Sequence, residues 1–369
     1  MIFSEKFGDQ ELCQGLLNRL RKEMDAHAAP VRFMEVCGTH TVAIFQSGLR
    51  SLLPEGLTHL SGPGCPVCVT HDSEISMVLE LAEKNDVILT TFGDLMRVPG
   101  PDGRSMKHAQ ADGARIKVVY SPLDAVQLAV DNPAATVVFV AVGFETTAPA
   151  VGGAILSARQ KGLDNFCILS CHKLVPPALQ ALLDDENGFG TQIDAFLLPG
   201  HVAVITGLEP FRFIARNYKC PAVVSGFEPA DILSSLCMML EQIRENKPEV
   251  GNTYKRVVDP AGNPAAQALL TQVFCVRDTR WRGLGIIPVS GLGLNHEFEN
   301  FDAFRRFDLH LGETRSKTGC RCGQVLAGAI NPPQCPLFGK VCTPQNPTGP
   351  CMVSTEGSCA AWYKYQAAE

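Results

Sequence analysis

The sequence predicts an α/β protein with two similar domains, each built on a parallel four-stranded sheet, followed by a third, cysteine-bearing domain. Three observations carry this expectation. Short apolar runs start about 25 to 30 residues apart with helix-like segments between them, the rhythm of βαβ units whose crossovers make parallel strands. That rhythm fades from about Arg244. Six of the 15 cysteines then fall in the last 50 residues.

Taken in order, residues 5–27 read as a helix with Leu12, Leu16, Leu17 and Leu20 on one face. The runs Arg32–Val36, Leu57–Leu60, Val87–Thr91 and Lys117–Tyr120 form a first set of strands. Thr136–Val142, Phe166–Ser170, Ala195–Leu198 and Ala222–Val224 form a second. Between them, Asp72–Lys84 carries Ile75, Val78, Leu79 and Ala82 at the helical period. No residue-level repeat relates the two sets, so any duplication is architectural. The reading divides the chain into an N-terminal helix (1–28), α/β domain I (29–125), α/β domain II (126–243) and a C-terminal domain (244–369). In the last of these, Gly283–Gly293 is glycine-rich, and the tail from Gly319 is rich in Cys, Pro and Gly.

Composition narrows the function. In 369 residues, 32 Lys and Arg stand against 38 Asp and Glu, a net charge of −6 that argues against nucleic acid as a main partner. With 46% hydrophobic and 19% charged residues, the chain has the makings of a large core and not of a disordered protein. No stretch reaches the ~18 uncharged apolar residues of a membrane span. The opening Met-Ile-Phe-Ser-Glu-Lys-Phe has no apolar run of a secretory signal, so a cytoplasmic location is expected. Cysteines in a reducing compartment are read for metal and redox chemistry before structural disulfides. Cys13, Cys167, Cys171, Cys220, Cys237 and Cys275, mostly in apolar surroundings, read as small buried hydrophobes.

Ligands of open parallel sheets bind beyond the carboxyl ends of the strands. The residues just after the apolar runs are Cys37-Gly-Thr-His40, Gly62-Pro-Gly-Cys65-Pro-Val-Cys68, Phe92-Gly-Asp94, Gly143-Phe-Glu145, Cys171-His172, Pro199-Gly-His201 and Gly226-Phe-Glu-Pro229. Strand–helix packing has use for the glycines there, but not for thiols and imidazoles. Cys65 and Cys68, three apart on a turn entering a helix, suit a redox dithiol; half of a metal site and a structural turn are the alternatives. Cys37 and His40 supply two soft or borderline ligands, whereas Thr39 can simply cap a helix. Glu145 is an acid or base facing Cys37, or a solvated capping acid. His172 and His201 end neighbouring strands and are candidates on position alone.

The tail is the strongest signal. The spacing Cys320-x14-Cys335-x6-Cys342-x16-Cys359, with Cys322 and Cys351 as extras and prolines at or near the cysteines, suits loops wrapped around a [4Fe–4S] cluster. Structural zinc favours tight C-x2–4-C knuckles, which are absent here. Spacing alone does not choose four ligands from six.

Together these residues resemble the HypD family of hydrogenase maturation factors. The likeness rests on Met34-Glu-Val-Cys-Gly-Thr-His40, Ser61–Val69, Thr91–Gly100, Gly143-Phe-Glu-Thr-Thr147, Pro199-Gly-His201, Cys335–Gly339, Met352–Gly357 and Cys359–Tyr363, and it spans nearly the whole chain. It implies a scaffold with a redox function on which the Fe(CN)2CO unit of [NiFe]-hydrogenase is assembled. The expected partners are a HypC-type chaperone and a HypE-type cyanide donor, with neither nucleic acid nor membrane. It also implies two α/β domains facing a central cleft and a C-terminal iron–sulfur domain. By this resemblance Cys37 is an iron ligand, Cys65 and Cys68 relay electrons, and Cys320, Cys335, Cys342 and Cys359 hold the cluster. Cys322 and Cys351 are then left as a possible pair, with Cys322 an equally plausible first ligand. Thr39, His40, Glu145 and His201 stand around the iron site and manage protons. One departure is Val42, where many members carry a second histidine. The competing expectations are a stand-alone iron–sulfur thiol–disulfide oxidoreductase and a zinc-stabilised binding module.

Overall fold

The computed structural model describes residues 9–27, 29–185, 188, 190–312 and 319–366. The N-terminal helix runs over Gln10–Asp25, and Asp9 caps it by accepting the amides of Glu11 and Leu12. The residues 5–8 assigned to that helix lie outside the described residues.

All eight expected strands form, as β1 (Val31–Glu35), β2 (Leu57–Ser61), β3 (Val87–Thr91), β4 (Ile116–Val118), β5 (Thr136–Ala141), β6 (Phe166–Ser170), β7 (Ala195–Pro199) and β8 (Ala222–Ser225). β3, β6, β7 and β8 are buried at every residue, which is why each reads as an unbroken apolar run. Beyond the expected set lie β9 (Val250–Asn252) and a hairpin of β10 (Phe274–Trp281) and β11 (Gly285–Leu294). The glycine-rich segment is therefore mostly a strand.

The grouping of the strands differs from the expectation. One parallel sheet has five strands in the order β2-β1-β7-β8-β9, and the other has four in the order β4-β3-β5-β6. The chain starts the five-stranded sheet, leaves it after β2, builds the whole four-stranded sheet and returns at β7. The five-stranded sheet thus draws strands from both sides of the expected 125/126 boundary. Apolar runs identify buried strands but carry no label for their neighbours. Pairing β1 with β7, Phe33 opposite Ala195, is a long-range choice made by packing.

Alternation along the strands sorts the five-stranded sheet into two faces. Phe33, Ala195, Leu197 and Val223 pack with Leu17 and Leu20 of the first helix and with Leu233 and Leu236 of the helix Pro229–Glu245. Met34, Leu60, Phe196, Leu198 and Val224 turn the other way. They share one buried cluster with Cys65, Cys68, Trp281, Cys322, Cys342, Cys351 and Cys359. The tail thus helps to cover that face, together with the helices Val175–Leu183 and Gly200–Thr206.

The hairpin joins the parts. Thr70 bridges Trp281, and Lys173 bridges Gly291. Fully buried Lys173 donates through Nζ to Glu74 Oε1 at 2.6 Å and to Thr279 Oγ1 at 2.9 Å. A charge so enclosed persists only when paired, so this contact ties three segments into one arrangement. Among the described residues no helix is long and apolar enough to cross a membrane.

Candidate functional site

The parallel register of β1 and β2 pairs Glu35 with Ser61, so the turns that follow both strands emerge side by side. Gly62 donates its amide to the Glu35 carbonyl at 2.8 Å, and Gly38 donates to the Gly64 carbonyl at 2.9 Å. The Cys37 turn and the Cys65 turn are therefore one hydrogen-bonded unit. Cys37, in extended conformation, begins the helix Gly38–Gln46. Cys65 begins the short helical turn Pro66–Val69, and its Sγ accepts the Cys68 amide at 3.2 Å. Pro66 at the first helical position matches its fixed φ. Cys65 and Cys68 are joined as a disulfide with Cα atoms 5.2 Å apart, at 3% and 0% exposure.

Burial decides the character of Cys37. It pushes the thiol up to about 12, and the nearby carboxylates of Glu35 and Glu356 add to the rise. The backbone amides of His40 and Thr39 point at the sulfur and oppose it. Cys37 itself is held from below, its amide donating to Glu35 Oε2 at 2.9 Å while Thr41 Oγ1 donates to Oε1 at 2.5 Å.

Thr39 is not a helix cap. Its Oγ1 donates to Glu356 Oε1 at 2.8 Å, drawing the tail onto the Cys37 turn. His40 bonds through Nε2 to the Gly226 carbonyl at 2.9 Å, and its buried Nδ1 has no hydrogen-bond partner among the described residues. Burial lowers its pKa to about 4, so the ring is neutral at pH 7. The Phe227 ring packs against His40 at 4.6 Å and His201 at 3.9 Å, so these two histidines come together around one aromatic. Glu356 also draws the His201 pKa upward against the burial that lowers it.

Glu145 and His172 are held by contacts of their own. Glu145 Oε1 accepts the Val175 amide at 2.9 Å, and its buried Oε2 has no hydrogen-bond partner among the described residues. Burial raises this carboxyl to about 7. His172 bonds Ser170 Oγ at 3.0 Å and meets Phe274 edge-on. It belongs to the packing between β6 and the hairpin.

The six tail cysteines converge. Cys322 lies within hydrogen-bonding reach of both Cys320 and Cys351. Burial holds the Cys359 thiol well above its ordinary range, reinforced by Cys320, Cys322, Cys342 and Cys335 around it. The Thr348 amide donates to Cys342 Sγ at 3.3 Å. Cys320 is half-buried and the other five are buried. Among the described residues no three His, Cys, Asp or Glu side chains are arranged to hold a single metal ion. A cubane binds each thiolate to a different iron, so its ligands surround a volume instead of meeting at a point. Buried thiols from loops around one region fit that donor set.

Comparison with known proteins is decisive at the level of family. The HypD family model, described as "Hydrogenase formation hypA family", matches residues 11–366. The chain belongs to the HypD family. It is 44% identical to the hydrogenase maturation factor HypD of Escherichia coli K12, with 100% of this chain and 99% of the relative covered. It is 44% identical to HypD2 of Bradyrhizobium diazoefficiens, covering 99% of this chain and 97% of the relative. The HypD of Cupriavidus necator is 43% identical over the same shares.

Within this HypD fold, sequence reasoning passed over Glu35 and Glu356. Both lie inside the motifs that carry the family resemblance, Glu35 two positions before Cys37 and Glu356 three before Cys359. A carboxylate two positions from a thiol draws no attention until the strand end places it under that thiol. Val42 lines an apolar cavity of about 720 Å³ together with Thr39, Met352, Tyr363 and Glu356. Of the cysteines read as buried hydrophobes, Cys167, Cys171, Cys220 and Cys237 are buried, whereas Cys275 is exposed and Cys13 half-buried.

Proposed function

We propose that the chain is a cytoplasmic assembly scaffold with thiol redox activity, on which the Fe(CN)2CO unit of [NiFe]-hydrogenase is built. It works in complex with a HypC-type chaperone and receives cyanide from a HypE-type protein. The observation that carries this reading is the hydrogen bond from Gly38 to Gly64, which sets Cys37 beside the Cys65–Cys68 pair. Membership of the hydrogenase maturation family supports it.

Cys37 is the iron ligand in this scheme. A thiolate is a soft donor, suited to the electron-rich iron that cyanide and carbonyl require. Its high pKa means that loading iron displaces a proton. The amides of Thr39 and His40 stabilise the sulfur charge that results. The chaperone supplies the second sulfur. His40 and His201, packed on Phe227, and Glu356, bonded to Thr39, hold the protons nearby. Glu145, set back against Val175, belongs to the outer part of that group.

The tail residues that would hold a [4Fe–4S] cluster are Cys320, Cys335, Cys342 and Cys359, with Cys322 and Cys351 as alternates. Such a cluster supplies single electrons. Cys65 and Cys68, packed in the same buried cluster as Cys322, Cys342, Cys351 and Cys359, store two as a dithiol.

The test is anaerobic co-purification with the HypC-type chaperone, followed by infrared spectroscopy. Cyanide and carbonyl stretches are expected in the wild-type complex and absent from Cys37→Ala. An iron-loaded wild-type complex without those bands overturns the scaffold reading. A Cys37→Ala protein that retains them removes Cys37 as the ligand.

A further inference from the structure

Arg282 sits in the turn between β10 and β11 and has no part in the site described above. It is 7% exposed. Its backbone amide donates to the Val69 carbonyl at 2.9 Å, and its Nε donates to the Thr70 carbonyl at 2.9 Å. Nη1 pairs with Asp72 Oδ1 at 2.5 Å. The guanidinium is thus clamped to the segment that directly follows Cys68.

Nη2 is different. It is buried and has no hydrogen-bond partner among the described residues. A buried donor on a cation is costly to leave unmade, so it calls for an acceptor. The cleft that Arg282 lines also holds sulfur. A Cβ on Gly283 would stand 2.0 Å from the Gly323 Cα, so the hairpin turn rests backbone to backbone on the Cys322 turn. Arg282, Cys320 and Cys322 line one cleft of about 460 Å³. The Arg282 charge acts on Cys320, Cys322 and Cys351.

We propose that Arg282 is a positioning residue for an iron–sulfur centre held by the tail, its Nη2 donating an N–H···S hydrogen bond to a sulfur of that centre. This rests on the tail reading above and extends it to a residue outside the cysteine motifs. Donors and positive charge next to such a centre favour its reduced form and raise its potential. The clamp from Asp72 and Thr70 also sets the centre at a fixed place relative to the Cys65–Cys68 segment.

The experiment uses the full chain purified without oxygen, with iron and acid-labile sulfide quantified. The potential is measured by spectroscopic redox titration, and iron loss to a chelator is timed. Arg282→Met is expected to shift the potential to more negative values and to speed iron loss several-fold. Arg282→Lys keeps the charge without the planar fork and should recover part of the potential shift. Asp72→Asn keeps the arginine and removes its counter-charge, so its potential should move the opposite way. This variant carries the test if Arg282→Met does not fold. An iron-loaded wild type whose potential is matched by Arg282→Met, or by Asp72→Asn, overturns this inference alone. A wild type that holds no iron–sulfur centre overturns the tail reading and the inference with it.

Discussion

Gly64 lies so close to Cys37 that a Cβ on it would stand 2.1 Å from the Cys37 amide nitrogen. No side chain fits there, and the contact is backbone on both sides. Gly64→Ala should therefore force the two cysteine turns apart and cost upward of about 2 kcal/mol, as overpacked sites do. Gly15, in open space on the helix Gln10–Asp25, is the control. Gly15→Ala should raise stability by about 0.5–1 kcal/mol. Paired thermal melts check both, and a Gly64→Ala protein that melts like wild type refutes the close packing.

Thr39→Val removes the hydroxyl that donates to Glu356 but keeps the shape of the side chain. The expected loss is about 1 kcal/mol, the worth of one such bond, with Glu356 left short of a donor. The effect should be local. Amide hydrogen exchange should quicken in the segment around Glu356 and in the helix Ser358–Gln366, while the four-stranded sheet stays protected. Uniform exchange changes, or none, would contradict the tie between the tail and the Cys37 turn.

Glu145 gives the protein a pH signature. Burial raises its carboxyl to about 7 from an ordinary 4.5. The folded state therefore keeps a proton that the unfolded chain releases above pH 4.5. The stability this proton brings is complete below pH 4.5 and is lost as pH rises through 7. At about 1.4 kcal/mol per pKa unit, the loss amounts to about 3 kcal/mol. Glu145→Gln should flatten that slope and overtake wild type above pH 7. Urea unfolding at pH 4.5 and pH 8 measures it, and parallel slopes for the two proteins would count against the shift.

Val289 holds a φ of +45°, a region that a β-branched residue rarely enters. Its amide donates to Asp278 Oδ1 at 2.9 Å, which holds the strained turn in place. Val289→Asn keeps that amide and suits the left-handed backbone, so stability should rise by about 1 kcal/mol. The side chain is more than half exposed, so no core contact offsets the gain. A melting temperature equal to or below that of wild type would show that the strain is absent in solution.

The strands were legible because a strand buried on both faces must be apolar throughout. β3, β6, β7 and β8 announce themselves in that way. The site was partly legible for a related reason: thiols and imidazoles at strand ends have no packing purpose. Thr39 reads from the sequence as a cap, the ordinary role of a threonine at a helix start, whereas the fold turns its hydroxyl to Glu356. Glu356 lies 317 positions from its hydroxyl partner, beyond any local pattern. Arg282 was invisible because a lone arginine in a glycine-rich turn reads as surface.

Residue order alone determined the first eight strands, that their connections make them parallel, and that sulfur is gathered at two turns and a tail. Those properties depend on apolar periodicity and local spacing, which act over tens of residues. Only tertiary packing decided that β1 pairs with β7, that the tail helps to cover one face of the five-stranded sheet, and that Cys37 stands beside Cys65. Those depend on which buried faces complement one another across the folded chain. Such complementarity is a property of surfaces that come into being only when the chain has folded.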